Sequence, residues 1–296
     1  MDNLANYLTS INCNICGNSS FSIFKESNLK SSIDINDYQI TDSNYGLTGL
    51  LIKCEKCGFI QSFDSNPVLP FYEKMIDVRY EETRDQRAIQ AMKLLQKVKQ
   101  VKMEGNLLDI GCGSGILVEE AIKIGYHAEG IEPSVWMCEK AQKRGLPVHH
   151  GVLPHPSIKH RFNIITIIDV IEHVSDPMKL LHESYKLLVH DGILLVVTPN
   201  VNSFAAKLVG SNWWHYRIAH VGYFNKRTLM LALANAGFHK IFIYHPSWYF
   251  PLDYLYERLQ KYFSALKIVP LPAFLRRSTI PLNLFDSLAA IYQKRA

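Results

Sequence analysis

From about residue 105 to residue 245 the chain alternates two hydrophobic patterns. Short runs at 106–110 (Asn-Leu-Leu-Asp-Ile), 127–134, 147–150, 162–168 (Phe-Asn-Ile-Ile-Thr-Ile-Ile), 193–197 and 238–244 are rich in apolar residues on successive positions. They predict strands, the 162–168 run buried on both faces as in a parallel sheet. Between them, 116–123, 136–144, 177–188, 204–209 and 226–236 predict helices, with Gly125 and Gly237 closing two of them. His190-Asp191-Gly192 is expected to be a turn before the 193–197 strand. Strand and helix in alternation predict an α/β fold built on a parallel sheet.

Upstream, 83–103 carries apolar residues at Ala88, Met92, Leu95, Val98 and Val101 opposite a charged face, an amphipathic helix that packs on the sheet. Before it, Phe71, Tyr72 and Tyr80 are aromatic anchors of a connector. Downstream, 246–284 is irregular, with aromatics, prolines and the basic pair Arg276-Arg277. Leu252, Leu255, Leu259 and Phe263 recur there at helical spacing, a lid or dimer contact, with a peripheral membrane contact as the competing reading.

The cysteines add a second unit. Cys13-Asn-Ile-Cys16-Gly and Cys54-Glu-Lys-Cys57-Gly are two knuckles that can place four thiolates around one structural zinc ion. Two disulfides or a redox pair are the competing readings, disfavoured by compartment and by the lack of a βαβ context. Short strands near 21–24 and 49–53 then make a zinc ribbon too small to fold without its metal. The expected organisation is a ribbon over 1–65, a connector and helix over 66–104, and a catalytic domain over 105–296 that includes 246–284.

Composition narrows the function classes. Of 296 residues, 48% are hydrophobic and 20% charged, which excludes a disordered or fibrous chain. The net charge of +5 permits an acidic partner without demanding one. Within 1–64, Lys25, Lys30, Lys53 and Lys56 stand against Asp2, Glu26, Asp34, Asp37, Asp42, Glu55 and Asp64, an acidic balance unsuited to nucleic acid. No basic leader opens the sequence, and no apolar run approaches the ~20 residues of a bilayer span. A cytoplasmic protein is expected.

Candidate chemistry starts where the 106–110 strand ends. Asp109-Ile-Gly111-Cys-Gly113-Ser-Gly115 puts a carboxylate in an apolar strand, then glycines at alternate positions, then a helix start. A backbone without Cβ atoms lets a nucleotide-like ligand approach that helix N-terminus. The sequence Asp-Ile-Gly-Cys-Gly-Ser-Gly resembles motif I of the class I S-adenosylmethionine-dependent methyltransferases. In that family the Asp and the glycine loop hold the amino-acid end of S-adenosylmethionine. Glu132, at the end of the second strand, is placed to accept both ribose hydroxyls, and Val152 and Leu153 follow where the family lays the adenine. The series Asp169-Val-Ile-Glu172-His173-Val, Asp176-Pro, Asp191-Gly-Ile-Leu-Leu-Val-Val-Thr-Pro-Asn200 resembles the subgroup that contains ubiquinone-pathway O-methyltransferases. The cysteine knuckles followed by Phe71-Tyr72 and Tyr80 are similar to zinc-ribbon methyltransferases of small-molecule and surface-sugar pathways, with Asn14 where those often carry Pro.

The resemblance implies a Rossmann-like, seven-stranded, mostly parallel sheet with helices on both faces. Its closing strand, 287–294, is antiparallel, and 246–284 is inserted between the last two strands. The cofactor would be held by Asp109, Gly111, Gly113, Gly115, Glu132 and Asp169. Methyl transfer needs alignment and, at a hydroxyl, removal of a proton. His173, Glu172 and His220 are the candidate catalytic residues, His173 as general base or as a packing group beneath the cofactor. Asp169, Glu172, His173 and His220 also offer an oxygen and nitrogen set for a divalent cation, as some relatives bind through Glu-x-x-Glu-His. Asp169 replaces the first Glu of that element. The aromatic segment from Trp213 to Phe224 is expected to cover a small-molecule acceptor, a hydroxyl of a sugar, quinone-like compound or other secondary metabolite. An RNA methyltransferase using the ribbon as a clamp and a non-catalytic cofactor-binding protein are the alternatives.

Overall fold

The computed structural model describes residues 11–29, 35–41, 45–63, 68–263, 270–276 and 278–295. Asp2, Lys30, Asp34, Asp42, Asp64 and Arg277 of the charge and insertion readings, and the expected boundary at 65, lie outside those residues. In chain order the strands are β1 (Phe21–Lys25), β2 (Leu51–Cys54), β3 (Ile60–Ser62), β4 (Asn106–Ile110), β5 (His127–Glu132), β6 (Val148–His150), β7 (Phe162–Ile168), β8 (Leu188–Pro199), β9 (Gly222–Tyr223), β10 (Phe238–Tyr244), β11 (Trp248–Pro251), β12 (Thr279–Leu282) and β13 (Ser287–Lys294).

Seven of these form one sheet in the order β10-β13-β8-β7-β4-β5-β6. β4 pairs in parallel with both β5 and β7, and β7 with β8. β13 runs antiparallel between β8 and β10. This is the mostly parallel, Rossmann-like arrangement with its last strand reversed. The alternation of side chains along β7 feeds two cores. Ile165 and Ile167 pack on the side of the helices Pro177–Leu187 and Lys226–Asn235. Ile164 packs on the other side, with the helices Arg84–Lys99, Ile116–Lys123 and Val135–Lys143. Helices therefore cover both faces, which is why the central strands read as continuous apolar runs.

One expected turn is absent. His190-Asp191-Gly192 lies within β8. Asp191 adopts φ +58, and the β7–β8 register passes from Phe162↔Leu188 to Ile164↔Ile193, so the chain around the Asp-Gly pair departs from the ladder within β8 and not ahead of it.

The ribbon has an antiparallel sheet in the order β1-β2-β3-β9. Its fourth strand comes from residues 222–223, far along the chain. Cys13 and Cys57 sulfurs lie 3.5 Å apart, Cys16 and Cys54 sulfurs 3.6 Å apart, and all four ligand atoms fall within 4.8 Å of one another. Zn–S bonds of about 2.3 Å in a tetrahedron put sulfurs roughly 3.8 Å apart, so the cluster suits a zinc ion. Each knuckle turns on a glycine of positive φ, Gly17 at +70 and Gly58 at +81. Among the described residues no helix is long and apolar enough to cross a membrane.

Between β10 and β13, the antiparallel pair β11–β12 and the helix Leu252–Tyr262 that lies between them in sequence fold back over the carboxyl edge of the sheet. Trp248 Nε1–H donates to Ser287 Oγ (2.9 Å), Gln86 Nε2–H donates to Thr279 Oγ1 (3.2 Å), and Arg79 pairs with Glu257. Leu195, fully buried on β8 in the second core, has no room to relax around a smaller side chain. Leu195→Ala is expected to lower unfolding stability by about 2–5 kcal/mol, measured by chemical denaturation.

Candidate active site

A cavity of about 820 Å³ opens along the carboxyl edge of the sheet, and both candidate clusters line it. The sheet order reverses between β4 and β7, and the loops after those two strands part there to make the crevice.

On one side is the glycine loop. Gly111, Gly113 and Gly115 have φ of +69, +56 and +75, values that disfavour any side chain. A Cβ on Gly111 would come within 2.4 Å of Val170 Cγ2, and one on Gly113 within 2.7 Å of the Tyr80 hydroxyl. Asp109, at the end of β4, is buried and accepts a 2.6 Å hydrogen bond at Oδ1 from Thr166 Oγ1–H. Glu132, at the end of β5, is also buried. Its two oxygens accept the Gly113 and Ser134 backbone N–H groups, each at 2.8 Å, so the acid braces the loop it faces. Burial pushes both carboxyls up, Asp109 to about 7 and Glu132 to about 7. Val152 and Leu153 line the same side of the cavity. These features fit a nucleoside cofactor: backbone close approach, a polar floor and a carboxylate at each of two strand ends.

Two residues of this half were not singled out for it by their sequence pattern. Tyr80 lies against the glycine loop, and the Arg87 guanidinium sits 4.0 Å from the centre of its ring while donating through Nε–H to Thr83 Oγ1 (3.1 Å). Tyr80 read as a connector anchor and Arg87 as part of a polar helix face. Only the fold turns both toward the cavity.

Opposite the loop, three ligand atoms converge. Glu172, His173 and His220 each bring one within 4.8 Å of the others. Glu172 is 2% exposed; its Oε2 accepts from Thr198 Oγ1–H at 2.9 Å, and its Oε1 has no hydrogen-bond partner. His173 Nδ1 lies 2.8 Å from the Ala219 carbonyl and 2.9 Å from the Tyr72 hydroxyl. A carbonyl only accepts, so Nδ1 carries the proton and Nε2, 4.0 Å from Glu172 Oε1, presents a lone pair. His220 is buried with Nδ1 unpartnered, its ring edge-on to His173 at 4.5 Å. Burial holds both imidazoles below their ordinary range and, with Asp169 next, lifts Glu172 well above its own. Asp169 follows β7 at φ +51 on the cavity wall and stands outside the three-atom cluster. The structure thus brings together three of the four expected cation ligands.

The aromatic segment divides. Trp214 and His215 line the cavity, Trp214 Nε1–H donating to Asp286 Oδ2 at 2.9 Å. Trp213 is fully buried with Leu51, Ile60, Val201, Tyr216 and Tyr223. It plugs the seam between ribbon and sheet, with its ring edge-on to the cavity-lining His215 at 4.9 Å.

A family model described as a methyltransferase domain matches residues 80–241. The ubiquinone biosynthesis O-methyltransferase of Rhodopseudomonas palustris is 36% identical over 115 residues, covering 36% of this chain and 46% of that protein. The protein of the same description from Pelagibacter ubique is 33% identical over 115 residues, covering 36% of this chain and 48% of its own. The chain spans about half the length of the curated relatives it matches. A SAM-dependent methyltransferase structure from Archaeoglobus fulgidus shares the fold, with a TM-score of 0.50 at 16% identity over 74% of this chain and 100% of that one. The matched segment takes in the glycine loop, Glu132 and the Glu172–His220 cluster and exceeds half of the sequence; the chain belongs to the methyltransferase-domain family.

Proposed function

We propose that the protein is an S-adenosylmethionine-dependent O-methyltransferase of a small-molecule acceptor, a hydroxyl of a sugar or other secondary metabolite. The observation that carries this reading is one cavity with the glycine loop and its two carboxylates on one side and a carboxylate with two histidines on the other. When bound, S-adenosylmethionine supplies an electrophilic methyl group on a sulfonium. Asp109 and the backbone of Gly111, Gly113 and Gly115 hold the amino-acid end, with Asp169 beside them, and Glu132 accepts from the ribose. Arg87 carries a fixed positive charge at the same end, suited to a carboxylate. The acceptor lies toward Trp214 and His215, with its hydroxyl at Glu172 and His173.

His173 is the base in this reading. Its Nδ1–H is committed to Ala219 and Tyr72, which fixes the ring and leaves Nε2 to take the acceptor proton. Burial lowers the His173 pKa to about 4, so Nε2 is unprotonated across the physiological range, but the ring is a weak base until an anionic neighbour such as ionised Glu172 raises that value. The converging lone pairs of Glu172 Oε1, His173 Nε2 and His220 Nδ1 also suit a divalent cation, which at this position would lower the pKa of an acceptor hydroxyl.

Incubation of the protein with methyl-labelled S-adenosylmethionine and fractionated cell extract is expected to label a low-molecular-weight fraction; label confined to RNA overturns the acceptor class. Asp109→Ala and Glu132→Ala are each expected to abolish cofactor binding in calorimetry, and unchanged affinity in both overturns the cofactor site. Since the bound form needs ionised carboxylates whose free pKa values are raised, cofactor affinity is expected to increase between about pH 6 and pH 8, with proton release on binding. Calorimetry in two buffers of different ionisation enthalpy measures that release. The same raised values make the empty protein less stable as pH climbs toward neutrality, because the unfolded chain has already lost those protons.

A further inference from the structure

The ribbon and the Glu172–His220 cluster are joined by a continuous path of hydrogen bonds, and Gln61 stands in the middle of it. Gln61 lies on β3 and is 3% exposed. Its side chain holds the first cysteine knuckle from both sides of Cys13: Oε1 accepts the Asn14 N–H at 3.0 Å, and Nε2–H donates to the Asn12 carbonyl at 3.2 Å. Its backbone faces Gly222 in the β3–β9 pairing. The Ser62 N–H donates to the Val221 carbonyl at 2.8 Å. The Val221 and Gly222 N–H groups then both donate to the backbone carbonyl of Glu172, at 2.8 and 3.0 Å. Val221 directly follows His220.

Two further ties bracket this path. Asn14 Nδ2–H donates to the Ser175 carbonyl at 2.9 Å, beyond His173 in the same loop, and Asn235 Nδ2–H donates to the Ile15 carbonyl at 3.1 Å. In the second knuckle the Phe59 N–H points to Cys57 Sγ at 3.5 Å. The Phe59 ring packs on Phe224 at 4.9 Å and so closely on Gly222 that a Cβ there would meet it at 3.0 Å.

β9 is two residues long, too short to hold its own place by strand pairing. A buried glutamine amide is costly unless both ends are bonded, and an apolar residue here would leave the Asn14 N–H and the Asn12 carbonyl of the knuckle without these partners. Here both ends are bonded, one to each side of a metal ligand. We infer that the four-cysteine centre sets the distance between Glu172 and His220, with Gln61 as the positioning residue, so that the ribbon is a working part of the acceptor half of the cavity. The functional meaning of that distance rests on the roles proposed for Glu172, His173 and His220; the mechanical coupling does not.

The test uses the full-length, zinc-loaded protein and reads amide hydrogen exchange of Val221 and Gly222. In Gln61→Ala, exchange at these two amides is expected to quicken by about tenfold or more, while amides of β4 and β5 keep their rates. Cofactor affinity in the same variant is expected to stay within about twofold, because the glycine loop shares no partner with Gln61. Turnover of whichever fraction the labelled cofactor identifies is expected to fall with no change in KM for S-adenosylmethionine. Removal of zinc from the unmodified chain is expected to quicken the same amides, and zinc added back to slow them again. Unchanged exchange at Val221 and Gly222 in both the variant and the zinc-free chain overturns the coupling. Failure of the unmodified protein to bind cofactor overturns the proposed function instead and leaves the exchange result to be read on its own. Should Gln61→Ala not fold, the zinc removal and return on the unmodified chain decide.

Discussion

A carboxylate buried with one oxygen unpaired is the constraint on which this molecule turns. Glu172 lines the cavity with Oε1 bonded to no other protein group, and the elements around it fix the rest of the residue. Thr198, from the end of β8, takes the other oxygen. Ala219 and Tyr72 lock the neighbouring imidazole, and the amides after His220 secure the main chain of Glu172 itself. Three stretches of sequence therefore converge on Glu172 and His173. A fold that only needed stability would have buried something apolar there.

The two halves of the cavity are built on different principles. The glycine-loop half is mostly local: strand, turn, helix and the end of the neighbouring strand supply its centre from residues 109–134, Glu132 braces the turn through the Gly113 amide, and Tyr80 and Arg87 are added from upstream. The opposite half is assembled over long range, from the loop after β7, the end of β8, the segment before β9 and the connector that carries Tyr72. Local construction suits a ligand common to a whole family. Long-range construction lets the other side vary segment by segment, although Val170 of the loop after β7 packs against Gly111 and ties the two halves together.

That difference also explains what the amino-acid sequence discloses. The order of strands and helices, the glycine loop and the cysteine knuckles are legible because each depends on periodicity or on spacing within a few residues. The partnership of Glu172 and His173 with His220 is half legible, since two are adjacent and the third is reached only through the fold. The β3–β9 pairing is invisible: Gly222-Tyr223 has neither the length nor the alternation of a strand, and takes its conformation from Ile60 and Gln61. Trp213 and Trp214 show the same limit at side-chain level. They are adjacent and chemically identical, yet one fills a seam and the other faces the cavity, a difference set by the tertiary fold. The departure from the ladder at Asp191 escapes because an Asp-Gly pair reads the same within a strand as ahead of it.

The placement of β13 bears on how the molecule comes to be made. This strand is the last of the described strands in chain order but lies inside the sheet, between β8 and β10. Until it arrives, a growing chain has two open strand edges facing a vacant slot, each with a row of unsatisfied backbone groups. The apolar residues Leu288, Ala289, Ala290 and Ile291, fully buried in the finished sheet, leave the ribosome only after nearly everything they pack against. Until then the nascent protein is open to pairing with strands of other chains, and a chaperone that shields such edges would have its main effect between the synthesis of β10 and that of β13.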